Sequence, residues 1–514
     1  MSPKDLPGFY FDPVKNRYFK NKCPLPGSKR PCTSSSTSSQ SEEPCISSPR
    51  HHIHVTRKKL MKPSKLIQSR EINGRLLSSK EVVCNFQQEC QKVQASQPEV
   101  WRYQRKSFVS DSALEEICGV VQTNQGLIET NLLAMGGVCC LISLHGIRNG
   151  SLECDYGINY SPELVWPSQR AAHCGAPWLF SNSATFVHLT SSVSCIRRIG
   201  MDIPNTVNVA PSTRQALVKY LTTDNMVTSL GSSVSGGTVY VLNLNEPFSF
   251  SENSPVLYRH ITKVCTCDCT IWTADASSNG TKATIGTNFG VSLINLETGS
   301  SSLVYRSKSD VLAQQFDLSG NVVLCGVRNG AIIAIDLRNS MSKCFEISSR
   351  AASQMQYPHK KPRRNLNTSI AAFMSSAVCS VVQLQSDENY FLGSSMDGSI
   401  KLFDRRFLNK AIQSYEGNVN SHSRLQLACN PSETLVLSGG EDCFVRIWSI
   451  KTSQLVFEEN ISNCIMPIVC WPYYGDFSYG YDQFFRHGEN PYQPTCSWGV
   501  WLGSYDGLFY MRGP

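Results

Sequence analysis

An aspartate and an arginine stand two residues apart at the end of two alternating apolar runs: Asp336 with Arg338 after AIIAI, and Asp404 with Arg406 after SIKLF. Residues two apart in an extended strand point to the same side, so each carboxylate shares a strand end with its guanidinium. The carboxylate can accept hydrogen bonds from the turn that follows. The planar five-donor fork of arginine suits the carboxylates and backbone carbonyls of a partner, and arginine is a favoured interface anchor. On these residues alone, the pair either stabilises a strand end or docks a partner at the rim of the fold.

Other reactive side chains are poorly placed for catalysis. The sequence has no Walker loop, no Gly-x-Ser-x-Gly elbow and no His-Glu-x-x-His motif, and no two cysteines at Cys-x-x-Cys spacing. Cys265, Cys267 and Cys269 alternate, so in a strand all three thiols face one way. Three thiols could bind zinc, but residues two apart in an extended strand are too far apart to chelate one ion easily. Small buried side chains are the expectation. His51, His52 and His54 lie in a basic tail and are expected to be solvated. No catalytic residue, metal or cofactor is therefore expected, and the chain is read as non-enzymatic.

The elements that hold these residues recur. Four windows align without gaps: 282–297 (KATIGTNFGVSLINLE), 323–338 (VLCGVRNGAIIAIDLR), 391–406 (FLGSSMDGSIKLFDRR) and 436–451 (VLSGGEDCFVRIWSIK). Each has an apolar strand, small residues, a turn residue at position seven (Asn288, Asn329, Asp397 or Asp442) and a second, alternating strand. The equivalent positions Asn295, Asp336, Asp404 and Ser449 are 41, 68 and 45 residues apart. A hairpin repeated near every forty residues is the signature of a WD-repeat β-propeller. The long interval contains an insertion, the polar and basic stretch 339–368, expected to be disordered. Weaker copies at 236–244, 503–510 and 118–144 bring the expected number of blades to about seven. The predicted fold is all-β, with the propeller spanning 116–514 and its boundaries before residue 265 unsettled.

Composition agrees with a large β-rich core: 41% hydrophobic residues, 17% charged, 34 Gly and 25 Pro in 514 residues. The 22 cysteines are read as reduced, small buried hydrophobes, because the first residues carry charges and no apolar signal-peptide run. The longest apolar run, 132–147, is too short and too interrupted to span a bilayer. The net charge of +8 is concentrated in residues 1–80, where 16 Lys/Arg face 5 Asp/Glu; this balance of +11 leaves −3 for the remainder. A basic tail on a near-neutral body points to an acidic partner or a nuclear address for the tail, and does not make the body a nucleic-acid binder.

Residues 1–77 are expected to be a disordered basic region carrying an aromatic docking motif at 6–19, with Phe9, Tyr10, Phe11, Tyr18 and Phe19 as its anchors. The motif would dock on a partner or on the chain's own body. An amphipathic helix is predicted over 78–97: Ser78 and Glu81 form a capping box, and Val82, Val83, Phe86, Cys90 and Val93 share a face. That face packs on its own domain or lies in a partner's groove.

The window 397–406 (DGSIKLFDRR) resembles the box by which WD-repeat substrate receptors bind the damaged-DNA-binding adaptor of cullin-four RING E3 ubiquitin ligases. Residues 6–19 (LPGFYFDPVKNRYF), 309–318, 330–338, 397–406, 413–419 and 440–449 further resemble the fourth-numbered group of these adaptor- and cullin-associated factors, in a plant-like or divergent form. The resemblance implies a non-catalytic substrate-recognition subunit. Its adaptor contacts would be Arg406 first, Arg338 second and Lys451 third, with Asp404 and Asp336 beside the arginines. It implies the adaptor as direct partner, the cullin scaffold indirectly, and an unknown protein substrate, with no membrane or cofactor, in the nucleus and also the cytoplasm. Departures are visible: Phe403 and Ile335 stand where the box has Trp, Asn329 where it has the turn Asp, and Ser449 where it has the strand-end Asp. The alternative expectation is a WD-repeat scaffold or histone-tail-reading propeller without a ligase. The basic stretch 358–364 (PHKKPRR) has no interleaved aromatics for base stacking, which favours an import signal or a solvated loop over nucleic-acid binding.

Overall fold

A computed structural model describes residues 9–12, 17–20, 86–103, 111–123, 126–148, 158–167, 176–181, 185–199, 225–232, 236–244, 246–249, 256–338, 368–406, 410–472 and 498–513. The chain divides into two units, Met1–Val55 and Thr56–Pro514. In the first, strands Phe9–Asp12 and Arg17–Lys20 pair antiparallel, with Tyr10 opposite Phe19 and Phe11 opposite Tyr18. All five aromatics of the expected docking motif are thus strand residues. The rest of 1–77, where disorder was expected, lies outside the described residues.

The second unit is a seven-bladed propeller, each blade built on antiparallel strands, with one short parallel pair added in blade 1. Blade 1 is built on Ala113–Thr123, Gly126–Gly136, Leu141–Arg148 and Trp178–Ser181, and three short strands extend it. Blade 2 comprises Val193–Arg198, Asn225–Ser232, Gly236–Leu242 and Ile261–Cys267. Blade 3 comprises Ile271–Ala276, Lys282–Thr287, Gly290–Asn295 and Ser301–Arg306, and blade 4 Val311–Phe316, Val322–Val327, Ala331–Asp336 and Thr368–Phe373. Blade 5 holds Val378–Gln383, Tyr390–Ser395, Ile400–Asp404 and Gln413–Tyr415, and blade 6 Leu427–Cys429, Leu435–Gly439, Phe444–Ser449 and Leu455–Asn460. The first strand of every blade touches the first strands of its two neighbours, and blade 7 returns to blade 1. The ring is closed, so the inner edges of its first strands are short and protected around the central channel.

The four aligned windows are the second and third strands of blades 3 to 6. In three of them the turn residue accepts the N–H two residues on: Asn329 Oδ1 from Ala331 at 3.1 Å, Asp397 Oδ1 from Ser399 at 3.0 Å and Asp442 Oδ1 from Phe444 at 3.3 Å, whereas Asn288 Oδ1 accepts the Thr270 N–H at 3.2 Å. Gly330, at φ 89°, occupies the position after Asn329, where a Cβ would lie 2.4 Å from the Met374 carbonyl oxygen. Packing between blades explains why the strands are apolar on both faces. Leu324 and Ile332 of blade 4 share a core with Val378, Phe391 and Phe403 of blade 5. Phe403 stacks on Phe391 with ring centroids 5.4 Å apart, so the departure from Trp still fills the blade with an aromatic ring. In blade 6 the Trp is present, buried, and its Nε1 donates to the Glu416 carbonyl at 2.9 Å.

Blade 7 is closed from the other end of the chain. Ile468–Cys470, Gly499–Ser504 and Gly507–Arg512 are followed in the sheet by Glu99–Tyr103 and then Glu163–Trp166. Trp101 lies opposite Tyr510 and Tyr103 opposite Leu508. The Tyr103 and Trp501 rings are 5.7 Å apart, and those of Trp501 and Tyr510 4.7 Å. Propeller strands therefore begin at Glu99 and Ala113, ahead of the expected start at 116.

The helix is Phe86–Ala95; residues 78–85 of the expected helix lie outside the described residues. It packs beside the outer strand of blade 6, and Ala95 joins the apolar cluster of Leu435 and Val456. The helix meets its own domain through Lys92 and Ala95, which are buried, while Cys90 and Val93 of the expected apolar face are only partly buried. The insertion joins the third and fourth strands of blade 4, where Ile335 pairs with Thr368, and 339–367 lie outside the described residues. No helix among the described residues is long and apolar enough to cross a membrane.

Candidate docking rim

Asp336 and Asp404 end the third strands of blades 4 and 5, and each holds its arginine in the same way. Asp404 Oδ1 accepts the Arg406 backbone N–H at 2.8 Å and Arg406 Nε at 2.9 Å, while Oδ2 accepts Nη2 at 2.8 Å. Asp336 repeats the arrangement with Arg338: backbone N–H at 3.0 Å, Nε at 3.0 Å and Nη2 at 2.6 Å. Blade 3 carries the same cap without a charge, Asn295 Oδ1 accepting the Glu297 and Thr298 N–H groups at 2.9 and 3.0 Å. The aspartate thus caps the turn, the first of the two roles the sequence left open, and also orients the guanidinium.

The bidentate pairs are charge-assisted, and the arginine hydrogen bond is the main cause holding Asp336 and Asp404 below the usual carboxylate range. The arginines themselves are open, with side chains 66% exposed at Arg338 and 53% at Arg406. Arg406 also lies over the Tyr390 ring, 5.7 Å from its centroid, and Nη2 donates to the Tyr390 hydroxyl at 3.3 Å. Tyr390 stands opposite Asp404 in the sheet. In blade 6, Ser449 is buried and Lys451 is exposed in the turn after it, its carbonyl accepting Gln413 Nε2 at 2.6 Å. Arg338, Arg406 and Lys451 therefore follow the third strands of three consecutive blades, at one end of the ring. A cleft of about 460 Å³ opens between blades 5 and 6, lined by Tyr390, Leu402, Ile412, Ile450, Lys451 and, from the helix, Lys92.

Two features were not anticipated from the sequence. The first is a charged network on the central strands. Glu115 faces Arg197 at 3.9 Å, and burial pushes its carboxyl up to about 7 against the opposing pull of Arg197 and Arg198. Glu116 accepts Trp501 Nε1 at 2.6 Å and Asn131 Nδ2 at 2.9 Å, and burial raises it likewise to about 7. Its signal was present: two glutamates inside an otherwise apolar strand. The second is the condition of the cysteines. All those described are free, but only Cys195, Cys325, Cys379 and Cys470 are buried. Cys265, Cys267 and Cys269 are only partly buried. Among the described residues no group of histidines, cysteines or carboxylates is arranged to hold a metal ion.

A closed ring of seven blades, with strand-end carboxylates capping the turns, is a WD-repeat β-propeller. Residues 242–461 match the family model of the DDB1- and CUL4-associated factor 4 beta-propeller domain. The chain is similar to DDB1- and CUL4-associated factor 4 of Homo sapiens, 34% identical over 186 residues, which cover 36% of this chain and 32% of that protein. It is also similar to DDB1- and CUL4-associated factor 4 of Bos taurus, 27% identical over 474 residues, covering 88% of this chain and 79% of that one. A third relative is the WD repeat-containing protein 21 of Schizosaccharomyces pombe, 28% identical over 181 residues, 34% of this chain and 36% of that protein. The match thus spans about a third of the human relative's length and most of the bovine one's. A solved WD40 β-propeller domain of Doa1 superposes with a TM-score of 0.46 at 11% identity, covering 80% of this chain and 96% of that one.

Proposed function

We propose that the chain is a substrate receptor of a cullin-four RING ubiquitin ligase, seated on the adaptor DDB1 through Arg406, Arg338 and Lys451. The observation that carries this reading is the match of 242–461 to the DDB1- and CUL4-associated factor 4 propeller, a stretch containing all three residues. The orientation of the two arginines supports it, since each is exposed yet held in one direction by its own aspartate. A preset guanidinium loses less freedom on binding than a free one. The receptor would contribute proximity, bringing a protein substrate to the ligase's ubiquitin-carrying enzyme without an acid, base or nucleophile of its own. The hairpin at 9–20 is proposed as a second docking element for a protein partner.

The test is co-precipitation of full-length variants with DDB1 from cells, with circular dichroism of the purified proteins to check folding. Truncating an interface anchor costs about 2 kcal/mol or more, roughly thirtyfold in affinity. Arg406→Ala should lose that much and Arg338→Ala should add to it. Arg406→Lys should rescue only in part, because a point charge cannot reproduce the fork. Full DDB1 binding by the folded double variant would refute the rim mechanism. Failure of the parent chain to bind DDB1 would leave a scaffold in place of a ligase receptor.

A further inference from the structure

Because the strands of a blade alternate in direction, the loop entering its first strand and the turn between its second and third lie at one end of the ring, and the Asp-x-Arg pairs at the other. The loop end holds one mouth of the central channel. Arg424 stands in the loop that enters the first strand of blade 6, and its Nη1 donates to the Trp272 carbonyl of blade 3 at 2.6 Å. Blades 3 and 6 lie across the ring from each other, so this side chain spans the mouth. Trp272 sits at the irregularity in the pairing of the blade 3 first strand, and Arg328, from the turn of blade 4, lies over its ring, 5.6 Å from the centroid. Arg328 has a counter-ion, Asp310 at 3.2 Å. Arg424 has none among the described residues: its Nε is buried without an acceptor, as is Trp272 Nε1, and the charge that faces it is a second guanidinium, Arg197. The carboxylates deeper in the channel are engaged elsewhere, Asp275 accepting the Phe316 N–H at 2.6 Å and Glu115 facing Arg197 at 3.9 Å.

We propose that this mouth binds a carboxylate of an acidic peptide segment in a protein partner, with Arg424 as its counter-ion and the apolar side chains at the same end as the seat for the flanking residues. An arginine does not shed its charge, and a covered charge without a counter-ion is costly. Burial disfavours the Arg424 charge, and Arg197 adds to this; a ligand carboxylate relieves both. Carboxylate is favoured over phosphate because one guanidinium is unpaired, and its planar fork matches a planar, singly charged group. A peptide is favoured over a small acid because of what surrounds the mouth. Phe289, Phe373, Val419, Tyr505 and Val138 lie on the loops and turns of this end and are between 48% and 69% exposed. Phe289 and Phe373 belong to the blades of Trp272 and Arg328, and Val419 to the loop of Arg424. Their backbones are already fixed, the Phe289 carbonyl accepting the Ser307 N–H at 2.9 Å and that of Val419 the Glu441 N–H at 2.8 Å, so contact with a peptide orders little. The Asp-x-Arg rim is at the opposite end and stays free for DDB1. That the bound peptide belongs to a ubiquitination substrate rests on the receptor reading above; the carboxylate site itself does not.

The full-length protein, in about 0.3 M salt to screen its exposed basic tail, would be applied to an array of short peptides in which Asp, Glu or a free C-terminus is flanked by Phe, Tyr, Leu or Val. The same peptides with Asn, Gln or a C-terminal amide, and with phosphoserine in the acidic position, complete the array. Acidic peptides should be retained and their amide counterparts lost. Arg424→Met should weaken the retained peptides by about thirtyfold or more, leave the urea midpoint at or above the parent's, and leave DDB1 co-precipitation unchanged; Arg424→Lys should keep part of the binding. Equal retention of acidic and amide peptides by the parent chain, or retention of neither, would overturn the proposal whether or not the variants fold. Stronger retention of phosphoserine peptides would overturn the choice of carboxylate, and undiminished binding by Arg424→Met the role of Arg424. A parent chain that selects acidic peptides but does not bind DDB1 would refute the receptor reading and uphold this site.

Discussion

The strand Glu99–Tyr103 should decide whether the propeller exists. Val100, Trp101 and Tyr103 are each 3% exposed or less. At about 1.5–3 kcal/mol for each large apolar side chain removed from water, their burial amounts to about 5–9 kcal/mol, an upper estimate because unfolded chains already hide some of this surface. Domains of this kind are stable by only about 5–15 kcal/mol in total. Two truncated chains and one point variant separate the strand from what precedes it. A protein starting at residue 86 keeps the helix and the strand and should unfold in urea at the parent's midpoint. A protein starting at residue 104 leaves blade 7 open and should be insoluble or unfolded at 25 °C. Trp101→Ala in the full chain leaves the backbone pairing and removes the ring beside Tyr510, and should cost about 3–5 kcal/mol. Equal midpoints and cooperativity for the chains starting at 86 and 104 would refute the idea that this strand closes the ring.

The raised carboxyl of Glu115 makes stability depend on pH. It titrates near 7 when folded and near about 4.3 when unfolded, so the stability it contributes is present below the unfolded value and is lost as pH rises through 7. Glu115→Gln should flatten that decline between pH 5 and 8 in thermal denaturation; a variant that follows the parent curve would contradict the shift. Asp404→Asn retains an oxygen for the Arg406 N–H, as Asn295 does in blade 3, and should lower the urea midpoint less than Asp404→Ala, which also loses the cap. Equal urea midpoints for the two variants would show that the cap does not matter. Replacing Lys360, Lys361, Arg363 and Arg364 with Ala should move a fluorescently tagged chain from the nucleus to the cytoplasm; unchanged nuclear signal would assign import to Arg57, Lys58 and Lys59 or to neighbouring tail residues.

The repeats were legible because their chemistry is local. Asn295, Asp336 and Asp404 each cap a turn two residues further on, so strand, turn and cap recur inside sixteen residues and survive substitution of the Trp. The rim arginines were legible for the same reason. Their supporting ring was less so: Tyr390 reaches Arg406 through the sheet register that sets it opposite Asp404, and register becomes visible only once the blade is built. The closing strand is hidden more deeply, since its partner 507–512 lies some four hundred residues away and no turn joins them. The thiols of Cys267 and Cys269 were read on strand geometry, but the hydrogen bond from Cys269 to Cys267 replaces that geometry with a turn.

The distance between the two halves of blade 7 also sets a clock on synthesis. Arg102 and Asp506, which form an ion pair at 2.8 Å, are 404 residues apart. At roughly 5–20 residues per second, a ribosome needs on the order of 20–80 s to pass from one to the other. Throughout that interval Trp101 and Tyr103 are outside the ribosome while the strand that will cover them has not been made. Six blades can assemble before that, but the seventh can form only once 507–512 have emerged, so closure of the ring waits for the return of a strand made some four hundred residues earlier.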